Sequence, residues 1–138
     1  MNDFQLLNKL GEGAYSIVYK VKRLEDGNLY ALKKVKLSNL SEKEKQNALN
    51  EVRILASIKS NFVVQYKDAF FDEYEQCLGI VMEYADKGDL YQKICEFKKA
   101  GVLFEESDIF RIFIQMVRGL KALHELKILH RDLKVLIN

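Results

Sequence analysis

Gly11-Glu12-Gly13-Ala14-Tyr15-Ser16-Ile17-Val18 is the stretch on which the fold turns. Glycines let a backbone come close to phosphate groups and expose peptide N–H groups toward them. Taken alone, the spacing is also that of a plain turn. A dinucleotide-binding fold needs such glycines to open a helix. Here an extended β-branched run follows instead, Ile17 to Val21, and then the hairpin-type turn Glu25-Asp26-Gly27-Asn28. The glycines therefore lie between two antiparallel strands, Leu6 to Leu10 and Ile17 to Val21. Ser16 occupies the third glycine's place, which stiffens the tip and leaves the first two glycines intact.

A third strand, Leu29 to Leu37, carries Tyr30-Ala31-Leu32-Lys33. Side chains alternate across a strand, so Ala31 and Lys33 share one face and Tyr30, Leu32 and Lys34 the other. A small residue beside a lysine on an inner face can floor a flat ring and reach its phosphates. A solvated basic edge, with Lys34 and Lys36 close by, is the alternative. The next segment favours the first reading. Ser41 to Ile58 reads as a helix, opened by the capping box of Ser41 and Glu44, with Ala48, Val52 and Leu55 on one face. Glu51 falls on the flank of that face, where a carboxylate is costly unless a cation meets it. Lys33 is the natural partner; a Glu51 tilted to solvent beside Arg53 is the competing arrangement.

Beyond the helix, Phe62 to Phe70 and Cys77 to Tyr84 read as paired strands around the acidic turn Asp72-Glu73-Tyr74-Glu75-Gln76. After Lys87-Gly88 the period becomes helical. Leu90, Ile94 and Phe97 mark a short helix, and Ile109, Ile112, Phe113, Met116, Val117, Leu120 and Leu123 a long one. Residues 83–88 join a sheet-rich part to a helical part and form the expected boundary, giving 1–84 and 85–138.

The whole-chain numbers exclude several classes. With 138 residues there is room for one real core. Lys plus Arg (22) nearly balances Asp plus Glu (20), which points to no nucleic acid and no membrane surface. The start, Met1-Asn2-Asp3-Phe4, is unlike a signal peptide, and no apolar run reaches membrane-spanning length. Cys77 and Cys95, without CxxC spacing or a nearby His, are expected to be reduced thiols, so no metal site is expected and the expected compartment is intracellular, cytoplasmic or nuclear. Proline is absent, against roughly seven at average usage, as though a loop-rich part of a larger fold lay elsewhere.

The last motif is His130-Arg131-Asp132-Leu133-Lys134, directly after the long helix. An Asp there can accept a hydrogen bond from an incoming hydroxyl and orient it for in-line attack on a γ-phosphate. A lysine two residues on can neutralise charge on the transferred group. An Asp capping a basic helix end is the plainer alternative, and it loses ground because three other motifs precede this one in order.

Together these residues resemble the eukaryotic protein kinases of serine/threonine type, and their order fits that family's signature set. Asn50-Glu51-Val52-Arg53-Ile54-Leu55-Ala56-Ser57, Ile80-Val81-Met82-Glu83-Tyr84-Ala85-Asp86 and Asp108-Ile109-Phe110-Arg111-Ile112-Phe113 are similar to the NIMA-related branch. The resemblance covers residues 4–134. It implies an α+β fold, a kinase N-lobe of five antiparallel strands and one helix followed by the first C-lobe helices. It implies ATP and Mg²⁺ as cofactors and a protein as substrate. Leu10 and Val18 would cap the adenine and Ala31 line its pocket, beneath the turn of Gly11, Glu12, Gly13, Ala14, Tyr15, Ser16 and Ile17. Lys33 would hold the α/β-phosphates, paired to Glu51 in a contact expected to be loose. Met82 would be the gatekeeper, backbone groups of Glu83 and Ala85 would bind the adenine edge, and Asp89 would lie near the ribose. Asp132 would be the catalytic base with Lys134 beside it, and Leu55, Tyr66 and His130 would stack in an internal spine.

The family's loop calls for Asn at position 137, where this sequence has Ile137, and for proline where it has Val135. The 138 residues contain no Asp-Phe-Gly. The expectation is thus an incomplete catalytic domain that lacks activity by itself and leaves part of the long helix (Ile112, Met116, Leu123) uncovered. A catalytically dead ATP-binding or interaction module is the alternative. Val135-Leu136-Ile137-Asn138 is expected to depart from kinase sequence, as read-through into an intron would make it, since every valine codon opens with the first two bases of one; a genuine truncated isoform that keeps the intron is the competing account.

Overall fold

A computed structural model describes residues 3–38 and 40–133. The elements run β1 (Phe4–Glu12), β2 (Ser16–Arg23), β3 (Leu29–Lys36), α1 (Glu42–Ser57), β4 (Tyr66–Asp72), β5 (Cys77–Glu83), α2 (Leu90–Ala100) and α3 (Glu106–Glu125). The five strands form one antiparallel sheet in the order β1-β2-β3-β5-β4. The α+β architecture read from the sequence is therefore present.

The chain divides into two compact units. The first comprises residues 1–59 and 64–84, the second 60–63 and 85–138. In the first, alternation sorts the core onto the two faces of the sheet. On one face Val35, Leu78 and Ile80 pack with Ala48 of α1, and Val52, Leu55, Tyr66 and Met82 close around them. On the other, Val21, Leu32 and Val81 pack with Phe4, Tyr19, Tyr30 and Phe70. Leu32, Ile80, Val21 and Val81 are fully buried, each contributing about 1.5–3 kcal/mol of transfer free energy. Phe70 lies directly opposite Gly79 and stacks on Phe4, ring centroids 5.9 Å apart. A Cβ at Gly79 would stand 2.7 Å from the Phe70 ring, so the bare glycine is what lets that ring lie flat across β5.

The turn between β2 and β3 is built as its residues dictate. Gly27 takes φ +69°, which side chains disfavour. Asp26 accepts from the Asn28 amide at 2.8 Å and from the Tyr30 hydroxyl at 2.6 Å. The first helix opens on the expected capping box: Glu44 accepts from the Ser41 backbone N–H at 2.8 Å and from its hydroxyl at 2.7 Å. Those two bonds hold the Glu44 carboxyl below its ordinary value, the side-chain bond most strongly. A depressed folded pKa contributes stability that is present above the unfolded value and lost as pH falls through the folded one. Acidification from pH 6 to pH 3 is therefore expected to loosen the start of α1, read as lost helical circular dichroism. In Glu44→Ala that acid limb should shrink; an identical limb in both proteins would remove the capping box as its source. Lys9 holds Glu12 low and the Tyr30 hydroxyl holds Asp26 low in the same direction, so the comparison with the variant is what isolates Glu44.

One strand expectation is corrected. Residues 62–65 lie outside the strand; β4 begins at Tyr66. Phe62 instead follows a turn in which its N–H donates to Ser60 Oγ at 3.2 Å, and it packs on α3, where Arg118 lies over its ring at 5.3 Å. Its apolar character reflects helix packing, not a sheet. Leu123 is likewise buried, against the expectation that it lacks cover, while Met116 is exposed and Ile112 half-buried. Asp89 and Gly101 bound α2, the first accepting from Gln92 N at 2.7 Å, the second in the left-handed conformation. Cys77 is buried, which pushes its thiol pKa up, and Cys95 is half-buried; both are free. No helix among the described residues is long and apolar enough to cross a membrane.

Candidate functional site

Register brings the candidate residues of the first unit onto one face of the sheet. Val18 stands opposite Lys33 and Lys33 opposite Ile80; in the next row Lys20 stands opposite Ala31, Ala31 opposite Met82, and Met82 opposite Tyr66. Directly opposed residues of an antiparallel pair share a face. Val18, Ala31 and Met82 thus form an apolar patch on that face, flanked by Lys33 and Lys20. Met82 is half-buried against the α1-side core, as are Leu55 and Tyr66, two of the three spine candidates.

The Gly-bearing segment makes a tight turn between strands. Gly11 pairs with Val18 and Glu12 with Ile17; Gly13 N donates to Ser16 O at 2.7 Å, and Lys36 N to Tyr15 O at 3.1 Å. Neither Gly11 nor Gly13 has positive φ. Their lack of a side chain is therefore not demanded by the turn. A Cβ on Gly11 would meet nothing within 4 Å, so the glycine keeps open a space that an approaching ligand can use. Leu10 lies at an irregularity in the β1–β2 register and is exposed, Ala14 and Tyr15 form the exposed tip, and Glu12 pairs with Lys9.

Lys33 Nζ meets Glu51 Oε1 at 2.6 Å. The pair expected from the helix periodicity is closed, and the looseness expected of it is absent. It needs no help from the second unit: α1 is clamped to the sheet by Ala48, Val52 and Leu55, which fixes Glu51 over β3. Lys33 is 25% exposed and Glu51 47%. A pair this wet contributes about 0–1 kcal/mol to stability. Its place beside a cavity of about 250 Å³, lined by Tyr15, Ser16, Lys33, Leu40, Asn47 and Glu51 among others, is the more informative fact. Asn47 was missed in the sequence although its signal was there, four residues before Glu51 on the same helical face.

At the end of β5, Glu83 N donates to Gln65 O at 2.8 Å and Gln65 N donates to Glu83 Oε2 at 3.2 Å. Of Glu83's backbone groups the N–H is thus committed to Gln65. Lys20 Nζ lies 4.5 Å from the centroid of the Tyr84 ring.

In the second unit, Ala85 is exposed and Asp89 has its capping bond, a structural role beside the ribose role the resemblance implies. Asp132 N donates to His130 Nδ1 at 3.3 Å across Arg131, whose φ is +61°. Such a conformation in a non-glycine residue costs of order 1 kcal/mol and clusters at functional loops. Lys134, Val135, Ile137 and Asn138 lie outside the described residues. No group of three or more His, Cys, Asp or Glu side chains among the described residues is placed to hold a metal ion.

The protein kinase domain model matches residues 4–136, two residues past the point where the resemblance was expected to end. Mouse serine/threonine-protein kinase Nek1 is 42% identical over 97% of this chain and 11% of its own length. Rice serine/threonine-protein kinase Nek6 is 36% identical over 97% of the chain and 24% of its own. Mouse Nek2 is 33% identical over 97% and 31%. The chain spans between 11% and 33% of the length of the first curated relatives it matches. The chain belongs to the protein kinase family, and the relatives it resembles are Nek-type, NIMA-related serine/threonine kinases.

Proposed function

We propose that this chain supplies the ATP-binding part of a serine/threonine protein kinase, an enzyme that moves the γ-phosphoryl of ATP to a protein hydroxyl. The observation that carries the reading is the Lys33–Glu51 pair at 2.6 Å beside an open glycine turn. In this reading the adenine lies against Leu10, Val18 and Ala31, with Met82 limiting the depth of its pocket. The Glu83 carbonyl accepts from the ring's amino edge, the Ala85 N–H donates to it, and Asp89 serves the ribose. Peptide N–H groups of residues 11–17 face the phosphates, and Lys33 contacts the α/β-phosphates while Glu51 holds its ammonium there. Asp132 accepts the proton-bearing hydroxyl of the protein substrate and Lys134 offsets charge on the phosphoryl group in flight. Catalysis of this kind is mostly positioning and charge stabilisation, so each residue acts by where it holds a group.

The test is a thermal shift with ATP. A ligand that binds only the folded state at about a hundredfold over its Kd stabilises by about 2.7 kcal/mol. That is a rise of several degrees in Tm for a chain of this size. No rise with ATP at millimolar concentration would overturn the reading. Binding without phosphotransfer in the protein that carries this segment would favour a non-catalytic ATP-binding module.

A further inference from the structure

We propose that Gln65 and Lys20 are positioning residues that hold the Glu83–Tyr84 peptide in place and so set a preference for adenine over guanine. The inference rests on the nucleotide-binding reading above.

The peptide bond between Glu83 and Tyr84 carries the Glu83 carbonyl. Each of its two flanking residues is anchored to a different segment, Glu83 to the residue just before β4 and Tyr84 to β2. Glu83 is tied to Gln65 by the reciprocal bonds already described, one through its backbone N–H and one through its carboxylate. Gln65 is itself steadied by Lys67, whose Nζ donates to its side-chain oxygen at 2.9 Å. Tyr84 is tied to β2, because the Lys20 ammonium lies over its ring. Lys20 stands directly opposite Ala31 and shares its face of the sheet. The tether therefore runs from the strand that covers the ring pocket to the residue at its rim. Tyr84 also resists rotation of the peptide on its own account, since a flip would drive its φ toward the region where only glycine sits at ease.

A fixed carbonyl discriminates between purines by simple chemistry. Adenine presents an amino group at its exocyclic position, a donor to the carbonyl oxygen. Guanine presents an oxygen there, and two acceptors face one another without a hydrogen between them. A site built around a hydrogen bond rejects the analogue that cannot make it, provided the site cannot move to escape the mismatch. Loosening either tether lets the carbonyl retreat, which weakens ATP and relieves the repulsion on GTP. The side chains of Glu83 and Lys20, and the backbone groups of Gln65, thus act on selectivity without touching the base.

The experiment is isothermal titration of the chain with ATP and, separately, with GTP. Glu83→Leu keeps the backbone carbonyl and removes the carboxylate tether. Its ATP affinity is expected to fall about tenfold, the size of one lost neutral hydrogen bond, with GTP unchanged or improved. Glu83→Gln keeps an acceptor for the Gln65 N–H and should restore the preference. Lys20→Met keeps the apolar stem but not the cation, and should lower the ATP-to-GTP preference about threefold, with Lys20→Arg restoring it. If Glu83→Leu fails to fold, Lys20→Met carries the test, since it keeps the half-buried stem and removes only the cation over one ring. An unchanged preference in the folded variants would overturn the proposal. So would equal losses for both nucleotides, the signature of a merely structural role. A wild-type chain that binds neither nucleotide would overturn the reading beneath it, and the proposal with it.

Discussion

Lys33→Met is expected to lower phosphotransfer by the protein that carries this segment by about 10³-fold in kcat/KM, the scale seen when one preorganised charge-stabilising donor is removed. Methionine keeps the length and apolar stem of lysine, so the packing on β3 beside Ala31 and Val35 is retained. What disappears is the ammonium that Glu51 holds at 2.6 Å. The same substitution should leave stability nearly untouched. With the two side chains 25% and 47% exposed, the pair is screened by water and is worth no more than about 1 kcal/mol. Activity and Tm must therefore separate: a large loss in the first, a shift of a few degrees at most in the second. Glu51→Gln should fall between, at about 10²-fold, because the amide leaves Lys33 charged but imperfectly aimed. In the double variant the losses should not add, since Glu51 acts through Lys33. Normal turnover by Lys33→Met, or additive losses in the double variant, would take the pair out of the phosphate-binding role.

Much of this arrangement is legible in the amino-acid sequence alone. Lys33 and Glu51 could be paired from two periodicities, the alternation of β3 and the helical repeat that puts Ala48, Val52 and Leu55 on one side of α1. Both are local rules, and both survive folding because one face of each element is buried. The Gly11–Val18 hairpin followed from what comes after it, a β-branched run and a second turn. Where structure and sequence pattern differ, the deciding information is tertiary. Phe62 is apolar in a run that looks like a strand, yet its partner is α3, far along the sequence. The Gln65–Glu83 tie was invisible because β4 carries a register irregularity between Tyr66 and Asp68, which breaks the counting by which opposed residues are found. Lys20 was legible in principle, two residues after Val18 and so on the same face as Ala31. A lysine in a basic stretch reads as solvated, and nothing local says that an aromatic ring waits for it.

Gly119 offers the second large effect, in stability. It lies inside α3, is buried, and a Cβ built on it would stand 2.7 Å from the backbone oxygen of Phe62. Both residues belong to the second unit. In an ordinary helix interior, Gly→Ala stabilises by about 0.8–1 kcal/mol through backbone entropy and solvation. Here the steric term opposes it. Overpacking against a side chain costs about 1–3 kcal/mol, and the cost runs higher where the obstacle is main chain and cannot swing aside. The clash should win, so Gly119→Ala should be destabilised by roughly 1–2 kcal/mol despite its better helix propensity. Gly119→Val adds β-branching and two further carbons in the same direction, and should lower Tm by roughly 10 °C or more. Phe62→Ala removes the ring that Arg118 covers but leaves the oxygen in place, so it should not rescue Gly119→Ala. The measurement is thermal unfolding of the three variants followed by circular dichroism. A higher Tm for Gly119→Ala than for the parent would mean that α3 can slide away from residues 60–63 at little cost. The close approach at Phe62 would then not be what selects glycine at this position.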